Sequence, residues 1–441
     1  MPDSLPFDLV VRGGTLASPA GRRLADIGIR GGRFAEIAGP GQLTAGAIEV
    51  LDSTGLFVLP GLIDSHVHFR EPGLTHKEGW LTGSRAAVIG GITTVLDMPN
   101  TIPPTDSRAA VDEKLRLANL SSYCDLGLFG LLSDDNADQL GELTDHPSVV
   151  GLKVFLGPTT GDLQPPTDAR LLRGLRVAAV AGVRVGFHAE DAEVLRADPD
   201  TRPVQAEVVA IGHVGRLLEE SGAAGHVCHV SSTEGLAGVE RWRSRGLDLT
   251  AEVTPHHCFL TAELTADLGA VAKVNPPIRE GRHASALLAA LASGAIDFVA
   301  SDHAPHTPDE KSVPDARRAP AGISSVETSL ALFLTRAVNE DRLSLERLVG
   351  AMAEAPARAW GLWPKKGSVE VGSDADLTIV DLDREGVIRG ADLHGKHGLT
   401  PFEGWRTRGA AVATIVRGRV VMRDGKLLGE PGWGRAVSRL R

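Results

Sequence analysis

Residues 149–190 contain VVGLKVFL (149–156), DARLLRGLRVAAVAG (168–182) and VRVGFHAE (183–190), which read as an apolar β-type run, a helical pattern and a second apolar run. A strand buried on both faces loses the in-and-out alternation of a half-exposed strand and becomes a short continuous apolar stretch. Two such runs flanking a helix predict a β-α-β unit with parallel strands. The pattern continues in both directions. LIDSHVHF (62–69), TTVLDM (93–98) and LGLFGLL (126–132) come before it, and GHVCHV (225–230), LTAEVT (249–254) and IDFVASD (296–302) after it, with further helical text such as ASALLAALASG (284–294) between. Eight parallel strands with intervening helices over residues 59–362 predict an α/β fold, a (β/α)8 TIM barrel, whose site lies at the C-terminal ends of the strands. A doubly wound sheet is the alternative. It is disfavoured because no glycine-rich dinucleotide fingerprint follows the first strand.

The two ends of the chain have a different texture. Residues 1–58 and 363–441 carry short β-branched runs broken by Gly and Asp-Gly turns, as in AIEVLDSTGLFVLPG (47–61) and AAVATIVRGRVVMRDGKLL (410–428). We expect them to combine into one small β-sandwich, with the barrel inserted between its halves. The formal net charge of −10 disfavours nonspecific binding to nucleic acid or anionic lipid, so an anionic substrate needs a local cationic pocket. Three cysteines without CxxC spacing predict neither a disulfide framework nor a cysteine zinc knuckle. The acidic N-terminus lacks the basic and apolar regions of a signal peptide, and no apolar run approaches a membrane span, so a cytoplasmic location is expected.

Polar residues fall at the ends of the apolar strands. His66 and His68 close strand one, Lys153 lies in strand four, His188 ends strand five, His229 ends strand six and Asp302 ends strand eight. A barrel converges all six on one mouth. His-x-His on a strand points both imidazoles to one side, which suits two ligands on one metal but equally a structural pair. Lys153 sits where a charged ammonium costs several kcal/mol unless it is paired or neutralised. It is either paired with a buried carboxylate or, as a free amine, has captured carbon dioxide to become a bridging carbamate. Asp302 reads as a strand-end cap or as a metal-bound carboxylate able to move a proton.

HVHFREPGLTHKE (66–78), GGITTVLDMPNT (90–101), GLKVFLG (151–157), FHAED (187–191), HVSS (229–232), TPHH (254–257), KVNPPIR (273–279) and ASDHAPHT (300–307) occur in an order and spacing that resemble the cyclic amidohydrolases, type I dihydroorotases most closely. The resemblance implies two divalent ions, zinc being the expected occupant. His66, His68 and Asp302 would hold one ion and His188 and His229 the other, with N6-carboxylated Lys153 bridging them. Many type I dihydroorotases carry an aspartate at this lysine's position, and here the chain departs from them. Asp302 would act as the catalytic base and then protonate the leaving amide nitrogen.

The same resemblance assigns the substrate. Arg70, where allantoinase-like sequences carry asparagine, would grip a substrate carboxylate together with Asn100 and His306, and Asn275, Arg279 and Gly322 resemble further pocket elements. The implied reaction is reversible hydrolysis of dihydroorotate to N-carbamoyl-L-aspartate, in pyrimidine biosynthesis. An allantoinase or hydantoinase, or a noncatalytic amidohydrolase-like scaffold, are the other readings. Residues 157–163 read equally as a mobile flap or a plain loop, and His256 and His257 stay outside the site. Association of identical chains and an aspartate transcarbamoylase partner are both compatible with the resemblance.

Overall fold

The computed structural model describes residues 6–160 and 163–440. Eight parallel strands form the central sheet in sequence order: strand one (Leu62–Val67), two (Ile92–Asp97), three (Asp125–Leu131), four (Val149–Phe155), five (Val185–His188), six (Gly225–Val227), seven (Leu249–Val253) and eight (Phe298–Val299). A parallel bridge between Val67 and His303 joins the last strand's continuation to the first and nearly closes the barrel. Every residue of strands one to four is buried, which accounts for their unbroken apolar text. Helices follow the strands, the longest being Val204–Ser221, Arg108–Ser121 and Asp168–Ala181. Strands six and eight are shorter than their apolar runs. Their last residues leave the hydrogen-bond ladder to aim His229 and Asp302 at the mouth, with left-handed φ of 37° and 47°. Arg70 shares this conformation at 65°. Such backbone costs of order 1–3 kcal/mol per residue and persists where surrounding packing enforces it.

The two ends unite in a separate nine-stranded, mostly antiparallel sheet. Its seam is the antiparallel pairing of Phe57–Pro60 with Leu377–Val387, so a strand from before the barrel is bonded to one from after it. Leu9, Val11, Ile27, Ile29, Phe34, Val58, Leu377, Ile379 and Ile415 belong to a core distinct from the barrel's.

The sheet touches the barrel at both ends. At the floor, Asp125, the first residue of strand three, lies 2.5 Å from Lys366 Nζ and 3.0 Å from Arg417 Nε, and Lys366 also reaches Asp376 at 2.6 Å. At the mouth, His397 Nε2 meets the His76 carbonyl at 2.8 Å and Lys396 N donates to Glu78 Oε2 at 3.2 Å. The loop after Arg70 is thereby strapped to the far end of the chain. No helix among the described residues is long and apolar enough to cross a membrane. All three cysteines are buried free thiols.

Candidate active site

The strand ends gather the metal-capable side chains around one cavity of about 310 Å³, which His66, His68, Lys153, His188, His229 and Asp302 all line. His66 and His68 lie two residues apart, and the period of the strand sends both to the same side. Their Nε2 atoms stand 3.4 and 3.2 Å from Asp302 Oδ1. Opposite, His188 Nδ1 and His229 Nε2 are 3.1 Å apart. The rings of His66 and His229, 5.3 Å between centroids, join the two groups. All six residues are buried, Lys153 completely.

This donor set fits divalent metal ions. Desolvation keeps the imidazoles neutral, which is the ligand form: His66 is pushed down to about 4, His188 is lowered, and His68 and His229 lie well below the usual histidine range. His66, His68 and Asp302 bring three donor atoms within 4.8 Å of one another. Among the described residues His229 Nδ1, which is buried, has no hydrogen-bond partner. Among the described residues no carboxylate forms an ion pair with Lys153, whose Nζ donates to Cys228 Sγ at 2.8 Å. A buried amine whose polar contact is a thiol does not fit the carboxylate-paired reading of this lysine.

A second layer orients the first. His66 Nδ1 is 2.5 Å from Glu252 Oε1, and the other oxygen of Glu252 lies 3.1 Å from His226 Nε2. His188 Nε2 lies 3.0 Å from Glu190, which Arg202 clamps at 2.5 Å. His68 Nδ1 is 2.6 Å from Asn100 Oδ1, and Asn100 Nδ2 donates to the Thr160 carbonyl at 3.1 Å. Asn100 therefore lines the cavity but serves first to fix His68. Carboxylate and amide partners of this kind set the tautomer and direction of a ligating histidine.

Arg70 enters from the loop after strand one, and its backbone is anchored by its neighbour: Phe69 N donates to Asp97 Oδ1 at 2.7 Å, and Asp97 is paired with Lys114 at 2.5 Å, both fully buried. Arg70 is 2% exposed, and burial pushes its guanidinium down to about 10. Its Nε and Nη1 have no hydrogen-bond partner among the described residues, and the residue lines the cavity. His306, by contrast, is not among the lining side chains. It stands behind Arg70 at 3.4 Å, held by the Ala321 carbonyl at 3.0 Å and Lys77 at 3.1 Å. Asn275 and Gly322 line the cavity, and Asn275 Oδ1 is buried and has no partner among the described residues. Gly322 has φ 138°, and a Cβ there would stand 2.2 Å from the Ala304 carbonyl oxygen, so only glycine fits. Arg279 is not among the lining residues either; it donates to the Arg202 carbonyl at 2.6 Å and so supports a side chain that does line the cavity. The 157–163 loop contributes Pro158, Thr159 and Thr160, while part of it, 161–162, lies outside the described residues. His256 and His257 are buried beside each other, 4.5 Å between ring centroids, and do not line the cavity.

Sequence reasoning passed over Glu252, Glu190, Asp97, Cys228 and Arg202. The three carboxylates carried the same signal that marked Lys153, a charge inside or at the end of an apolar strand run, in LTAEVT, FHAE and TTVLDM.

A barrel with four histidines, an aspartate and a buried lysine converging on its mouth is an arrangement that could hold divalent metal ions, as metal-dependent hydrolases do. Residues 57–421 match the Amidohydrolase family, and the chain belongs to it. Within that family it is a cyclic amidohydrolase. An allantoinase from Rubrobacter xylanophilus is 38% identical over 98% of this chain and 97% of its own length, and a dihydroorotase from Halobacterium salinarum is 40% identical over 93% and 96%. The solved L-hydantoinase (dihydropyrimidinase) from Arthrobacter aurescens superposes with a TM-score of 0.95 at 33% identity, over 98% of this chain and all of the other.

Proposed function

We propose that the chain is a dihydroorotase, hydrolysing the ring amide of L-dihydroorotate reversibly to N-carbamoyl-L-aspartate. Arg70 carries this reading. A buried guanidinium beside the metal-capable cluster, with Nε and Nη1 unpartnered among the described residues, offers charged N–H donors to a carboxylate. Dihydroorotate carries a carboxylate on its ring; allantoin and unsubstituted hydantoin carry none.

His66, His68 and Asp302 would hold one zinc ion and His188 and His229 a second, with carboxylated Lys153 as the shared anionic ligand. Bound there, the ions supply Lewis acidity toward the ring carbonyl and lower the pKa of water. Asp302 accepts the proton from the attacking water and passes it to the departing amide nitrogen, so one water is consumed for each ring opened. Arg70 holds the carboxylate and thereby fixes which face of the ring meets Asp302. Glu252 and Asn100 keep His66 and His68 turned toward the cavity. In the reverse direction the same groups close the ring with loss of water.

An allantoinase is the second reading, favoured by the 98% coverage of this chain by a relative of that name. Turnover of dihydroorotate, allantoin and hydantoin, measured side by side on one preparation, separates the two. Dihydroorotate should give the highest kcat/KM; a higher value for allantoin or hydantoin would overturn the assignment.

A further inference from the structure

Lys153 is fully buried and its amine points at Cys228. The two residues come from strand four and from just beyond strand six, with strand five between them, so their contact spans the barrel wall. The Nζ to Sγ distance is 2.8 Å. Cys228 is itself 2% exposed and does not line the cavity, so it stands behind the lysine and out of reach of substrate.

We infer that Cys228 is a positioning residue for the carboxylation of Lys153, its sulfur accepting the one N–H that survives on the carbamate. The inference rests on the carbamate reading given above. In that reaction the amine lone pair forms an N–C bond to carbon dioxide, a C–O π bond opens onto oxygen, and one proton leaves the nitrogen for water. The product keeps a single N–H and, like an amide, is planar about its N–C bond. Fixing that N–H on Cys228 fixes the plane and turns the new N–C bond to the side away from the sulfur. That side is the cavity that His66, His188, His229 and Asp302 also line. A carboxylate in place of Cys228 would tie the amine up in an ion pair and compete with carbon dioxide. A thiol accepts only weakly and leaves the nitrogen free to react.

The test is reconstitution of the full-length chain with Zn²⁺ at graded 13C-bicarbonate, reading the label retained per chain by NMR and the zinc bound, beside the melting temperature. Cys228→Ala should need about three- to tenfold more bicarbonate than wild type for half-maximal labelling, the scale of one lost neutral hydrogen bond. Cys228→Ser, which keeps an acceptor, should recover most of the difference. A labelled wild type with an unchanged bicarbonate midpoint in Cys228→Ala overturns the role of Cys228 and leaves the carbamate standing. A Cys228→Ser variant as impaired as Cys228→Ala assigns the effect to packing and overturns it too. An unlabelled, fully metallated wild type removes the carbamate and the inference together.

Discussion

Arg70→Met separates the cost of building the carboxylate socket from its use. In the free protein Arg70 is 2% exposed, two of its guanidinium nitrogens are unpartnered among the described residues, and burial moves the group from 12.5 down to about 10. At 1.36 kcal/mol per tenfold, the native fold carries a cost of roughly 3 kcal/mol against the charged form. Methionine fills much of the same volume without a charge, and the left-handed backbone strains both residues alike. The melting temperature of Arg70→Met should therefore hold or rise, because a buried charge whose desolvation outweighs the pull of Asp302, Asp97, Glu310 and Glu78 has been removed. Catalysis should move the opposite way. Leaving a substrate carboxylate unpaired in a closed site costs on the order of 2–5 kcal/mol, so kcat/KM for dihydroorotate should fall about 30-fold to several thousandfold. Metal content should not change, since Arg70 is no ligand. Dihydrouracil, the same ring without the carboxylate, supplies the control and should lose far less. The assay is hydrolysis of both rings by wild type and variant, with metal analysis and calorimetry on the same preparations. Equal losses on charged and uncharged rings, or a melting temperature several degrees lower, would refute the socket and make Arg70 a structural residue.

Asp302→Asn keeps an oxygen donor but cannot take a proton, so kcat should drop by about two orders of magnitude or more while metal is retained; near-normal turnover would move the base elsewhere. Glu252→Gln weakens the acceptor behind His66 Nδ1 and should lower metal affinity by about 10–100-fold in competition with a chelator. An unchanged affinity would show that packing alone orients His66. Lys311 is buried, donates to the Ala270 carbonyl at 2.9 Å and is pushed by desolvation down to about 7. Below pH 7 it is charged in both states and the native state bears the burial cost; between about 7 and 10.5 the unfolded chain binds the extra proton, so stability rises with pH. The melting temperature of wild type relative to Lys311→Met should therefore climb from pH 6.5 to 9.5, and a pH-independent difference would count against it.

The barrel was legible because its strands are buried on both faces, which wrote eight apolar runs into the text. The metal-capable residues stood out for the same reason, as Lys153 does within VVGLKVFL. Local patterning could not supply pairings across strands. Glu252 meets His66 at a separation of 186 residues and Asn100 meets His68 at 32, and in each case the partner looks like an ordinary turn or strand residue until the sheet is closed. His306 shows the converse limit: its motif placed it beside the substrate, but Lys77 and the Ala321 carbonyl draw it behind Arg70. The ends of strands six and eight were overcalled because composition does not report where backbone turns left-handed to aim a side chain.

The sheet formed from the two chain ends works as a splint. One attachment is the ion cluster of Asp125, Lys366, Asp376 and Arg417 under the barrel, and the other is the grip of residues 396–397 on the loop behind Arg70. A barrel cut free of its flanks would lose both, leaving Asp125 without its counter-ions Lys366 and Arg417. Heating that loosened only the upper attachment would slacken the arm carrying Arg70 while the histidines, rooted in the barrel wall, stayed in place. Early thermal inactivation would then appear as a rising KM with metal still bound, which ties the far end of the chain to how the mouth holds its substrate.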